Sequence, residues 1–117
     1  MTQPEDMEFE ELEQRAEEVA ALLKQVANTK RLLILCRLAA GEATVTELCA
    51  VAGLSQSAMS QHLAKMRADG LVQGEKDGVQ IRYSISDPRC FDLLNHLRAS
   101  FCAPERVNTA NTTKPAA

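Results

Sequence analysis

Apolar residues recur along this chain in two rhythms, one helical and one alternating. In residues 8–25, Leu12, Ala16, Val19, Leu22 and Leu23, followed by Val26, form one stripe with glutamates between, which predicts a first amphipathic helix. The Asn28-Thr29 pair offers an N-cap for a second helix from Lys30 to about Ala40, closed by Gly41. Its apolar content runs all round, so it belongs at the centre of the core.

Thr44 and Thr46 are candidate caps for a short third helix through Ala52, which Gly53 ends, and Ser55 then caps a fourth. Two short helices joined by a Gly-Leu-Ser corner predict a helix-turn-helix. On the fourth helix, Met59, His62, Leu63 and Met66 share one face, and Gln56, Ser57, Ser60, Gln61, Ala64 and Arg67 share the other. A merely solvated face would more often carry Glu and Lys in i,i+4 pairs. Short hydrogen-bonding groups without carboxylates favour the reading of base edges.

Gly70 stops that helix, and the rhythm then changes. Leu71 to Glu75 and Gln80 to Ile85 predict two strands joined around Asp77-Gly78, a hairpin signal. Ile81, Tyr83 and Ile85 alternate with Gln80, Arg82 and Ser84, so one face packs and the other is free to meet a phosphate, as in a wing. Asp87-Pro88 opens a last helix whose stripe, Cys90, Leu94, Leu97 and Phe101, needs a partner surface. The expected organisation is an acidic disordered N-terminus at 1–7, one mainly α domain with a β-hairpin wing at 8–103, and a disordered polar tail at 104–117.

Charge modifies this picture. The net of -3 looks wrong for a DNA reader, but residues 1–24 hold eight acids and two bases, a net of -6. The other residues, with eleven bases and eight acids, net +3, a mildly basic body compatible with phosphate contacts in a dimer. With three Phe, one Tyr and no Trp in 117 residues, aliphatic helix packing must supply the core. No window approaches the roughly 18 apolar residues of a membrane span, and the acidic start is unlike a secretory signal, so a cytoplasmic location is expected.

In that compartment thiols are kept reduced, so four cysteines point to metal or redox chemistry rather than to structural disulfides. Cys36 lies in the apolar run Leu32-Leu33-Ile34-Leu35-Cys36, and Cys102 lies just before Pro104, so two thiols flank the predicted reader. This arrangement suggests a switch, although two buried apolar cysteines would leave the same trace. No Cys-x-x-Cys, Ser-His-Asp or paired-carboxylate constellation is present, so neither an enzyme nor a cofactor is expected.

The stretches Lys30-Arg31-Leu32-Leu33-Ile34-Leu35, Thr46-Glu47-Leu48-Cys49, Leu54-Ser55-Gln56-Ser57-Ala58-Met59-Ser60-Gln61-His62-Leu63 and Asp69-Gly70-Leu71-Val72 resemble the ArsR/SmtB family of bacterial transcriptional repressors, over about residues 12–102. The resemblance implies a winged helix-turn-helix homodimer whose first and last helices pair across a two-fold axis and whose fourth helices enter successive major grooves of a palindromic operator. Carried over position by position, Gln56, Ser57, Ser60 and Gln61 face bases, and His62 lies near the backbone or packs beneath. Lys65, Lys76 and Arg82 are the phosphate candidates.

Two metal sites known in the family are incomplete here. The Cys-x-Cys of the third helix keeps Cys49 but has Val51 as its second position, and the last helix offers Asp92 and His96 without the expected spacing or further ligands. No metal site is therefore assigned. Cys36 and Cys102 instead match the positions of the dithiol in members that respond to reactive sulfur species or oxidants, such as the sulfide-responsive and biofilm-growth-associated repressors. The resemblance implies that a disulfide or polysulfide bridge between them lowers DNA affinity. Arg37 beside Cys36, and Arg98 one turn before Cys102, are candidate cations for the thiolates. Cys49 and Cys90 are assigned to packing. The alternatives are a metal- or metalloid-responsive repressor on this scaffold and a winged-helix interaction module without DNA affinity.

Overall fold

The computed structural model describes residues 4–102 and has six helices and three strands among them. The helix expected from residue 8 begins earlier and is divided: α1 spans Pro4–Gln14 and α2 spans Ala16–Val26. The helix start falls on Pro4, and proline, which fixes φ and has no N–H to satisfy, suits that position. At Arg15 the backbone turns tightly, its N–H reaching Leu12 O at 3.0 Å and Glu11 O at 3.3 Å, with no proline or glycine at the break. Residues 1–3 and the tail expected at 104–117 lie outside the described residues.

Each later helix is set by a local cap. Asn28 accepts from Arg31 N at the start of α3 (Thr29–Ala40). Thr44 and Glu47 form a reciprocal capping box at the start of α4 (Val45–Ala52), with Thr44 N donating to the Glu47 carboxylate at 2.9 Å. Ser55 caps α5 (Gln56–Ala68), and Asp87 with Pro88 opens α6 (Pro88–Phe101). Thr44, not Thr46, is the cap used, because only its hydroxyl is placed to accept from the N–H three residues on.

Strands β2 (Val72–Asp77) and β3 (Gln80–Ile85) pair antiparallel as the wing, and Asp77↔Gln80 closes a two-residue tip in which Gly78 takes a left-handed φ of 67°. A strand of two residues, β1 (Ala43–Thr44), pairs on the other side of β3 and gives the order β1-β3-β2. This strand roots the wing beside the capping box of α4.

The core joins Ile34, Leu35 and Leu38 of α3 to Leu48 of α4, to Met59, Leu63 and Met66 of α5, to Val72 and Tyr83 of the wing and to Leu94 of α6. Burying each such side chain is worth about 1.5–3 kcal/mol, so the expected central place of α3 is also an energetic one. On the first stripe Val26 is buried and Leu22 packs against the core, whereas Leu12 and Leu23 remain about half exposed. With Phe9 at 63% and Phe101 at 78% exposure, α1, α2 and α6 carry large apolar groups to solvent. No helix among the described residues is long and apolar enough to cross a membrane.

Candidate functional site

The helix-turn-helix corner is built by backbone geometry. Gly53 ends α4 at a left-handed φ of 67°, and the N–H groups of Gly53 and Leu54 both donate to Cys49 O. Two residues later Ser55 Oγ accepts from Ala58 N at 3.1 Å and starts α5. Met59, Leu63 and Met66 bury one face of α5, which leaves Gln56, Ser57, Ser60, Gln61, Ala64 and Arg67 exposed on the other. His62 is half-buried at the border between the faces.

The basic candidates differ in how free their charges are. Lys65 lies 3.8 Å from Asp69 one turn on, an exposed pair worth little. Lys76 is exposed on β2. Arg82 is held more firmly, its Nε 2.8 Å from Asp77 Oδ2 and its charge further favoured by Glu47 and Glu42. Its cation is answered within the wing, which the strand alternation alone did not reveal.

The sulfur candidates belong to two helices that pack against each other, α3 and α6. Cys36 is half-buried on α3, and Cys102 is the exposed C-cap residue of α6, its N–H donating to Arg98 O. Burial pushes the Cys36 thiol up, and the neighbouring Cys102 adds to that, while the Arg98 guanidinium pulls it down. Arg98 is thus the arginine whose charge bears on Cys36. Arg37, next to it in sequence, is turned away, its guanidinium donating to Gly41 O at 3.0 Å and Glu42 O at 3.5 Å at the end of α3.

Cys90 is fully buried, and burial, then Asp87 and Cys36, push its thiol up to about 11. It packs in the core, as its place on the Cys90–Leu94 stripe indicated. Cys49 is half-buried against the core on α4. Asp92 and His96 are exposed on α6, and among the described residues no group of three or more His, Cys, Asp or Glu is arranged to hold a metal ion. Chemically, the junction offers one accessible thiol, one sheltered thiol and one guanidinium, a set suited to sequential sulfur exchange.

Comparison with known proteins agrees with this architecture. The model of the "Bacterial regulatory protein, arsR family" matches residues 28–73, from the cap of α3 through the start of the wing. The HTH-type transcriptional regulator YgaV of Escherichia coli (strain K12) is 43% identical over 96 residues, covering 81% of this chain and 97% of that protein. A biofilm growth-associated repressor of Agrobacterium fabrum is 42% identical over 94 residues, covering 80% of each. The structure described as reduced HlyU from Vibrio cholerae superposes with a TM-score of 0.74 at 40% identity, covering 80% of this chain and 98% of that one. The fold is thus a winged helix-turn-helix, and the chain belongs to the arsR family of bacterial regulatory proteins.

Proposed function

We propose that this transcriptional regulator is a cytoplasmic homodimeric repressor that releases a palindromic operator when Cys36 and Cys102 are bridged by reactive sulfur species or oxidants. The observation that carries the reading is that α3 and α6 pack together with Cys102 and Arg98 near enough to Cys36 for their charges to bear on it. Phe9, Leu12, Leu23 and Phe101, exposed on the outer helices, support a dimer that buries them. A relative described as a biofilm growth-associated repressor, and another solved in a form described as reduced, support repression and thiol chemistry.

In this account Gln56, Ser57, Ser60 and Gln61 read base edges, His62 borders the backbone, and Lys65, Lys76 and, once released from Asp77, Arg82 meet phosphates. The exposed Cys102 thiolate attacks the outer sulfur of a persulfide donor, forming a Cys102 persulfide and expelling the donor's thiolate. The Cys36 thiolate, paired with Arg98, then attacks Cys102 Sγ and expels hydrosulfide, which leaves a disulfide. If both cysteines are first persulfidated, the same expulsion leaves a trisulfide. The bridge ties the helix before the reader to the last helix. A bias of about 2 kcal/mol in the placement of two reading helices changes operator occupancy more than tenfold.

The test is operator binding by fluorescence anisotropy with an organic tetrasulfide, a disulfide donor, Zn(II), Cd(II) or As(III). Release by the sulfur donors, lost in Cys36→Ser and Cys102→Ser variants that still bind DNA, supports the reading. Release by a metal ion alone supports the metal-responsive alternative, and no duplex binding at any salt supports the interaction module.

A further inference from the structure

Lys30 stands in the first turn of α3, where the helix dipole disfavours a cation and where no acidic residue accompanies it. Its position is explained by another helix. The Lys30 ammonium, half-buried, donates to the carbonyl oxygen of Ala52 at 2.6 Å, across 22 residues of sequence. Ala52 is the last residue of α4 and is buried, so its carbonyl has no partner further along the helix and little access to water. The next two N–H groups, Gly53 and Leu54, are both spent on Cys49 O. The ammonium also lies over the corner itself, since a Cβ on Gly53 would stand 3.7 Å from Lys30 Nζ.

We propose that Lys30 is a positioning residue for operator reading: by closing the C-terminal end of α4 it fixes the Gly53-Leu54-Ser55 corner and hence the angle at which α5 is presented. The inference rests on α5 being the reading helix. It adds a physical link between α3, which carries Cys36, and the reading unit, made by a side chain that itself touches no DNA. A cation capping a carboxy terminus gains from the negative end of that dipole as well as from the hydrogen bond.

The experiment compares the full-length protein with Lys30→Met, which keeps the stem and removes the donor, and Lys30→Arg, which keeps a cationic donor. For Lys30→Met the expected result is an unchanged dimer and an operator affinity about tenfold weaker, with a salt slope equal to that of the wild type because no phosphate contact has been removed. Amide exchange at Gly53 and Leu54 is expected to rise about tenfold while core amides of α3 stay protected. Lys30→Arg restores most of both. Unchanged affinity and exchange would overturn the proposal. So would a salt slope lowered by about one, the mark of a phosphate contact. Should Lys30→Met fail to fold, Lys30→Leu carries the same comparison, and global unfolding of both without selective loosening of the corner counts against a positioning role. A parallel Gln61→Ala variant separates the premise from the proposal: if it leaves operator binding untouched, the assignment of α5 fails, while the exchange result still reports on Lys30.

Discussion

Arg82 and Asp77 face each other across the wing, with Arg82 Nε 2.8 Å from Asp77 Oδ2, so a cation suited to phosphate is held by an acid of its own hairpin. Both side chains are substantially exposed, and such a solvent-screened pair adds little to stability. Its larger consequence is for DNA, because Arg82 must leave Asp77 to meet a phosphate.

Asp77→Asn keeps a turn-forming residue at the wing tip and frees Arg82. Operator affinity should rise roughly threefold to tenfold, and the salt slope should steepen by about one as a further counterion is released. Binding isotherms at several salt concentrations measure both. An unchanged slope would show that Arg82 does not contact the backbone.

Gly74 is required by packing, not by backbone conformation. A Cβ there would lie 2.9 Å from Ile81 Cγ2 and 3.0 Å from Tyr83 Cε1, and the Tyr83 ring is buried. Gly74→Ala should cost about 1–3 kcal/mol through overpacking, read as a lowered denaturant midpoint. A midpoint equal to the wild type's would mean that the Tyr83 ring has room to move.

The cysteines should separate by pH and access. Burial raises the Cys36 thiol above its ordinary value of 9.0, so its neutral form is favoured in the fold. Alkylation of Cys36 in the native protein should therefore keep climbing past pH 9, with exposed Cys102 labelled before it and buried Cys90 unlabelled. Because the fold favours the neutral Cys90 thiol, it contributes stability that is fully present below the unfolded value and is lost as pH rises from 9.0 toward about 11. Cys90→Ala should lose less stability than the wild type over that interval in pH-dependent denaturation. Equal alkaline losses would contradict the assignment.

Phe101 is 78% exposed at the end of α6. If a partner subunit covers it, Phe101→Glu should shift the sedimentation equilibrium toward monomer and weaken operator binding together with it. A variant that stays dimeric would place the interface elsewhere.

What could be read from the chain was what is local to it. Asn28, Ser55, Gly41, Gly53, Gly70 and the Asp87-Pro88 pair mark element ends through interactions within a few residues, and each end lies within about two residues of its expected place. The hairpin was legible because Asp77-Gly78 needs only its own turn. The two-residue strand was not, since Ala43 finds Tyr83 forty positions away and carries no period of its own. The same holds at the site. Adjacency nominated Arg37 as a partner for Cys36, but carbonyls at the end of α3 hold its guanidinium, and the charge that bears on Cys36 is that of Arg98, on a helix packed against α3. Lys30 gave only the hint of a cation at the wrong end of a helix, and its acceptor lies on another element.

The central claim, that joining Cys36 to Cys102 releases the operator, is tested most directly by mass analysis of protein partitioned on immobilised operator after tetrasulfide treatment. The unbound fraction is expected to carry an intrachain Cys36–Cys102 link, seen as the loss of two hydrogens with or without whole sulfur atoms gained besides, and the bound fraction free thiols at both positions. Protein that stays on the operator with the link in place, or leaves it with both thiols free, would contradict it.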